Sequence, residues 1–230
     1  MYSRVIDGEE YSFGVSGKLI RNVLVMYDRN TGSLWSQILG EAVEGPLVGT
    51  KLEFLPAFQT TWSEWKSQHP ESLALQKGYF GVRDPYSRYY ASGQTGVIGT
   101  TNYDDRLYEK EFVVGVEHEE IAVAFPFSVL NEEPVVNYLN GDTTFLVVFN
   151  DTSGTGVVFD RTHNDQTLTF ELVDGLNLRD LETESLWDGL NGIAIEGPLE
   201  GTQLQRVKST ASFWFGWVDF FPETEVYGLN

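Results

Sequence analysis

The sequence predicts a mainly β fold (α+β, with one short helix per repeat) made of two homologous β-rich units packed pseudosymmetrically. Three observations carry that expectation. Apolar, Val- and Phe-rich stretches alternate with Gly/Asn/Asp turn clusters over much of the chain. LWSQILGEAVEGPLVGTKL (34–52) aligns without a gap on LWDGLNGIAIEGPLEGTQL (186–204). The same register runs on through TTWSEWKSQHPE (60–71) over SFWFGWVDFFPE (212–223). Repeats of this kind are the first thing to look for, because they set the architecture.

All six tryptophans fall in that register: Trp35 with Trp187, Trp62 with Trp214, and Trp65 with Trp217. Retention at matched positions argues for packing, each ring burying ~150–250 Å². All six are therefore expected in the cores of the two units. The extra phenylalanines of FWFGWVDFFPET (213–224) are expected to cover the other unit; a carbohydrate- or peptide-binding surface is the sharper alternative.

Taken in order, the first unit spans 1–109 and the second 110–230. LIRNVLVMYD (19–28) reads as a strand on its Val and Tyr content. The EGPL-x-GT segments place Gly and Pro for a tight turn between strands. TTWSEWKSQHP (60–70) reads as the helix: Thr61 caps it, Glu64 sits three residues on, and Pro70 ends it. Residues 78–109 form a long Gly/Tyr-rich connection, expected to drape over the first unit. VVGVEHEEIAVAF (113–125) reads as two strands around a charged turn, and FLVVFN (145–150), GVVFDR (156–161) and TLTFEL (167–172) as further strands.

The units differ at their starts. Arg4 and Phe13 match Arg161 and Phe170, so the second unit carries 110–157 ahead of its matching region while the first begins almost at Met1. Roughly three strands of the first unit have no counterpart. The unit works without them, the chain is a piece of a longer protein, or a neighbouring chain supplies strands to the open edge.

Composition narrows the chemistry. With 34 acidic and 15 basic residues the net charge is −19, a field that repels nucleic acid and anionic membranes. No apolar run approaches the ~20 residues of a membrane span, and no signal peptide is read in this chain. The absence of cysteine excludes disulfides, zinc–thiolate sites and Cys nucleophiles. No phosphate-binding glycine loop, dinucleotide fingerprint or nucleophile elbow is present, so no cofactor is evident beyond a divalent ion. For that ion, Asp180, Glu182 and Glu184 alternate like the matched Asp28 and Asn30, as a Ca²⁺ site would require; the plain alternative is a hydrogen-bonded turn. A second candidate is a binding surface of Tyr86, Arg88, Tyr89, Tyr90 and Arg106, against which stands a loop pinned down by its tyrosines with an Asp105–Arg106 ion pair.

The run SFGVSGKLIRNVLVMYDRNTGSLWSQILGEAVEGPLVGTKLEFLP, with TTWSEW, DPYSRYY, EFVVGVEHEEIAVAFP and SFWFGWVDFFPE, resembles an uncharacterised family, domain of unknown function 3179. The resemblance covers nearly the whole chain. It implies no established activity and, since members often look exported, an extracytoplasmic location. Many members carry a Cys-Pro-Leu-Cys-Gly-Thr-Ala run before the Val-Phe-Asp-Arg strand; here Asn150 and Ser153 stand at the Cys positions, in FNDTSGTGVVFDR. Thiol redox or thiolate metal chemistry thus has no equipment in this chain. The expectation is a non-catalytic binding or assembly module, as a homo-oligomer or with a strand-completing partner. The alternative is a cation-binding protein or hydrolase with a carboxylate site between the repeats.

Overall fold

Residues 1–76 and 86–229 are described by a computed structural model. A short hairpin, β1 (Val5–Ile6) with β2 (Glu9–Glu10), leads into a four-stranded antiparallel meander. Its strands are β3 (Phe13–Ile20), β4 (Val23–Asp28), β5 (Leu34–Ser36) and β6 (Glu41–Glu44). Residues 19–28 are not one strand: Arg21 and Asn22, at φ 48° and 63°, close a two-residue hairpin loop between β3 and β4, the backbone that a tight hairpin's twist demands. The EGPL-x-GT turn folds back on its own strand, with Gly49 N–H donating to Ala42 O and Ala42 N–H to Thr50 O, 2.9 Å each.

Next comes α1 (Trp62–Gln68), capped as the Thr-x-x-Glu spacing predicts: Thr61 Oγ1 accepts from Glu64 N–H at 3.2 Å. The connection that follows contains one helical turn, α2 (Ser87–Tyr90); its residues 78–85 lie outside the described residues. It rests on both halves rather than on the first alone. Asn22 Oδ1 accepts from Val97 and Ile98 N–H at 2.8 and 2.9 Å, while Asp219 Oδ1 accepts from Thr101 and Asn102 N–H at 2.8 and 2.7 Å.

The second half opens with the hairpin expected over 113–125, β7 (Phe112–His118) and β8 (Ile121–Pro126), then α3 (Phe127–Glu132). A three-stranded sheet follows: β9 (Val135–Asn140), β10 (Thr143–Asn150) and β11 (Thr155–Asp160), with β10 central. A two-residue pair, β12 (Thr162–His163) and β13 (Gln166–Thr167), leads to a second meander. This comprises β14 (Phe170–Asp174), β15 (Asn177–Asp180), β16 (Leu186–Asp188) and β17 (Ile193–Glu196). The chain ends with β18 (Ser209–Phe213), α4 (Trp214–Phe220) and β19 (Glu225–Val226). β18 and β19 flank β7 and β8 in the order β18-β7-β8-β19.

Two-residue periodicity explains how these sheets stack. Along β10, Phe145, Val147 and Phe149 enter one core with Val114 and Val116 of β7, while Leu146 and Val148 enter another with Leu178 and Trp187 of the second meander. β7 divides in the same way, Val113 facing Trp214 and Trp217 of α4. The layers therefore run from the second meander through β11-β10-β9 and then β18-β7-β8-β19 to α4. The first half has one smaller core, in which Ile6, Trp35, Ala42 and Leu52 are buried.

Matched segments share local geometry. Both meanders shift register at the same place, between Leu34 and Trp35 and between Leu186 and Trp187. Gly45 and Gly197 sit at φ 100° and 102°, where a Cβ would meet the Ser33 and Ser185 Cα at 2.8 Å, so both turns need glycine for conformation and for space. α1 and α4 each run for seven residues. Their surroundings differ: Trp214 to Asp219 of α4 are buried, and α1 buries nothing. The expectation that all six tryptophans are core is thus corrected for one pair, Trp62 and Trp65 being 51% and 39% exposed while Trp35, Trp187, Trp214 and Trp217 are fully buried. The physical reason is the layer above. β7 and β8 cover α4, and among the described residues no strand pair covers α1.

Candidate functional site

The exposed face of α1 lines a cleft. One part, of about 730 Å³, lies between Trp62 and Trp65 on one side and Phe112, Phe127, Ser153 and Gly154 on the other. A second part, of about 770 Å³, lies between the first meander (Phe13, Val23, Met26) and Ser209–Ser212 of β18. Phe58, Gln59 and Ala211 border both parts. β18 is the terminal strand of its sheet, so the side away from β7 presents backbone N–H and C=O groups to this cleft.

Opposite β18 runs the segment Ala57–Thr61. Among the described residues, Ala57, Phe58, Gln59 and Thr60 belong to no strand, and their backbone groups have no hydrogen-bond partner. Thr60 Oγ1 and Ser212 Oγ, one from each wall, are buried atoms that also lack a partner. Unpaired polar groups out of water cost free energy, and most such groups in folded proteins are satisfied. The aromatic wall is itself firmly built: Phe112 lies 4.4 Å from Phe213 and 5.5 Å from Phe127, and Phe127 lies 4.6 Å from Phe149, ring centroid to centroid.

Among the described residues, the cleft is lined by no Asp, Glu, His, Lys or Arg side chain. Tyr2 lines the meander end, and burial, then Glu117, pushes its phenol up to about 12. Ser153 Oγ shares a hydrogen bond with Thr155 Oγ1 at 2.7 Å. The Tyr2 hydroxyl donates to Gln37 O and Ile38 O, and among the described residues no carboxylate, imidazole or amine hydrogen-bonds to either hydroxyl, so the chemistry offered is aromatic contact and backbone hydrogen bonding.

Asn150, which ends β10, and Ser153, in the loop to β11, are the two positions that the family resemblance singled out. Asn150 Oδ1 accepts from Thr152 and Ser153 N–H at 3.0 and 3.3 Å, an Asx turn, and Ser153 opens onto the cleft.

The carboxylates singled out from the sequence lie elsewhere and do not share a face. β15 ends at Asp180, and Glu182 and Glu184 follow in a turn rather than on a strand, Glu184 at φ 62°. Asp180 Oδ1 accepts from Thr183 N–H at 2.5 Å, and Oδ2 from Thr183 Oγ1 and Trp187 Nε1 at 2.8 and 2.9 Å. Asp28 holds Thr31 and Trp35 the same way, at 2.5, 2.9 and 3.0 Å. Glu182 Oε2 accepts from Thr169 N–H at 2.7 Å, and Asn30 Oδ1 from Ser12 N–H at 3.4 Å. Burial raises the Asp28 carboxyl's pKa, but the donors from Thr31, Trp35 and Asn30 outweigh it and hold the group below its ordinary value. Among the described residues no three His, Asp or Glu side chains gather as metal ligands would.

Of the tyrosine cluster, Tyr89 and Tyr90 stay together, their ring centroids 6.1 Å apart, and both pack on Phe213. Tyr89 packs on Phe213 at 6.4 Å, its hydroxyl accepts from Gly96 N–H, and the Lys110 ammonium lies 3.9 Å from its ring centroid. Tyr86, Arg88 and Tyr90 are exposed. Arg106 pairs with Asp104 at 2.7 Å, not with Asp105, donates to Thr224 O at 2.8 Å, and lies 5.3 Å over Trp214. These contacts fasten the connection to the second half. Sequence reading missed Phe58, Gln59, Thr60, Ala211 and Ser212; the one signal available was that 57–61 matches β18 in the repeat register while lacking its partner strand.

Fold and cleft define a class: a mainly β protein with an uncharged aromatic cleft beside an open strand edge. A family model described as "Protein of unknown function (DUF3179)" matches residues 1–224, and the chain belongs to that family. No curated protein and no solved structure matches it.

Proposed function

We propose that the protein is a non-catalytic binding module made of two equivalent units, the second closed by its own strands and the first left open to receive an extended polypeptide. One observation carries the reading: α1 and α4 have the same length and the same backbone angles at both caps, yet α4 lies under a strand pair and, among the described residues, no strand pair covers α1. Thr61 and Phe213 precede them at φ, ψ of −74°, 152° and −70°, 149°; His69 and Phe221 follow at −126°, 70° and −125°, 71°. A helix that keeps its two tryptophans but not their cover is suited to take that cover from outside. The uncharged lining supports binding rather than turnover. A carboxylate metal site has less support, because Asp28 and Asp180 spend their oxygens on Thr and Trp donors.

The test is selection of displayed random peptides on the purified chain. Binding peptides are expected, and binding should weaken by about tenfold or more on a Trp62→Ala/Trp65→Ala double variant. Failure to enrich any peptide, or equal binding to the double variant, refutes the reading.

A further inference from the structure

The second half shows in detail what covers such a helix. β18 pairs antiparallel with β7, Thr210 opposite Gly115, Ala211 opposite Val114 and Ser212 opposite Val113. Trp217 lies directly on Gly115, where a Cβ would sit 2.3 Å from the indole Cε3. No side chain fits between them, so glycine is required of the strand.

Trp65 holds the position in α1 that Trp217 holds in α4, and its contacts within its own segment match. Trp65 lies 4.1 Å from the His69 ring, and Trp217 lies 4.3 Å from the Phe221 ring. The two indole N–H groups donate to hydroxyls seven residues on, Trp65 to Ser72 at 2.8 Å and Trp217 to Thr224 at 3.0 Å. Ala57–Thr61 likewise stands where β18 stands, with the backbone of 57–60 unpaired.

On the reading proposed above, we infer that Ala57–Thr61 and the open face of α1 accept a β-strand from another polypeptide, an uncharged aliphatic strand with a glycine facing Trp65. Backbone pairing along 57–60 supplies the hydrogen bonds that those residues lack, as in strand addition to a sheet edge. A net charge of −19 and a lining without Lys or Arg side chains to pair with carboxylates select against acidic strands. A second copy of this chain is a poor donor. Its own Gly-containing strand β7 is already held between β18 and β8, and lending it would uncover α4.

The experiment uses the full chain and two synthetic pentapeptides blocked at both ends, FVVGV (the sequence of residues 112–116) and the same peptide with Gly115→Leu. Binding is read from the emission of the exposed tryptophans. The glycine peptide is expected to bind with a blue shift, and the leucine peptide about tenfold or more weakly, because its side chain collides with Trp65. Trp65→Ala, which removes the obstacle, should abolish that discrimination; Trp65→Phe should keep part of it and guards against loss of folding in the alanine variant. Equal binding of both peptides to the unaltered chain overturns the inference. So does no binding of either while displayed peptides still bind at Trp62 and Trp65, a result that leaves the binding-module reading standing. A concentration-dependent rise in mass to a multiple of 25.9 kDa, with peptide binding lost, assigns the face to a second copy and also overturns it.

Discussion

Replacing Trp217 by alanine should cost far more stability than replacing Trp65, although both end the same helical turn. Trp217 is 1% exposed among Val113, Ala124, Trp214, Val218 and Val226. Area alone gives ~4–6 kcal/mol, from ~150–250 Å² at ~25 cal/mol per Å². Measured core Trp→Ala changes run at ~3–5 kcal/mol because the site partly collapses, so ~4 kcal/mol is expected. Trp65 has the His69 ring beside it and is 39% exposed, so its loss leaves no closed cavity. About 1 kcal/mol is expected there, the ordinary cost of a change outside a core. For a chain of this size each kcal/mol shifts Tm by ~2–4 °C. Thermal unfolding should therefore move by ~8–16 °C for Trp217→Ala and ~2–4 °C for Trp65→Ala. Equal shifts would refute the argument that the missing strand layer distinguishes the two helices.

Other consequences can be checked by chemical denaturation. Gly115→Ala places a methyl group into the Trp217 ring and should destabilise by ~1–3 kcal/mol, the usual cost of overpacking, whereas Gly93→Ala, whose added Cβ meets nothing within 4 Å on a backbone without positive φ, should cost less. Asp180→Ala strands the Trp187 indole N–H and two Thr183 donors in a buried turn and should cost ~2–4 kcal/mol, seen as a lowered midpoint with an unchanged slope. The Asp28 carboxyl is held below its ordinary value of 3.8 when folded. The stability it contributes is therefore complete above that value and is lost as pH falls through the folded pKa. Asp104, held low chiefly by hydrogen bonds from Arg106, adds a loss of the same sign. Stability should fall below pH ~4, and Asp28→Asn should flatten that fall.

Much of the local structure was legible because it is set by neighbours in sequence. The cap of Thr61 on Glu64 N–H, the β7–β8 hairpin and the glycines of the EGPL turns each depend on residues a few positions apart. The single strand expected over 19–28 failed because Arg21 and Asn22 adopt a left-handed turn that Val and Tyr content does not reveal. Trp62 and Trp65 were misread for a deeper reason. The sequence motif fixes a helix and its indole contacts, but burial is decided by a strand layer that arrives from elsewhere in the chain, over α4 and not over α1. The alternating carboxylates do not share a strand face because Asp180 ends its strand, after which a period of two no longer places side chains on one face. The cleft joins residues from opposite ends of the chain, such as Gln59 and Ala211, which no local pattern connects.

The central claim is that Ala57–Thr60 is an open edge while its counterpart Ser209–Ser212 is a paired strand. Amide hydrogen exchange on the free chain tests it most directly. Phe58, Gln59 and Thr60 are expected to exchange at rates near those of exposed coil, Thr210 and Ser212 to be protected by their ladder with β7, and protection to appear at 57–60 only when a strand-forming peptide is added. Equal and strong protection of both segments in the free chain would contradict it.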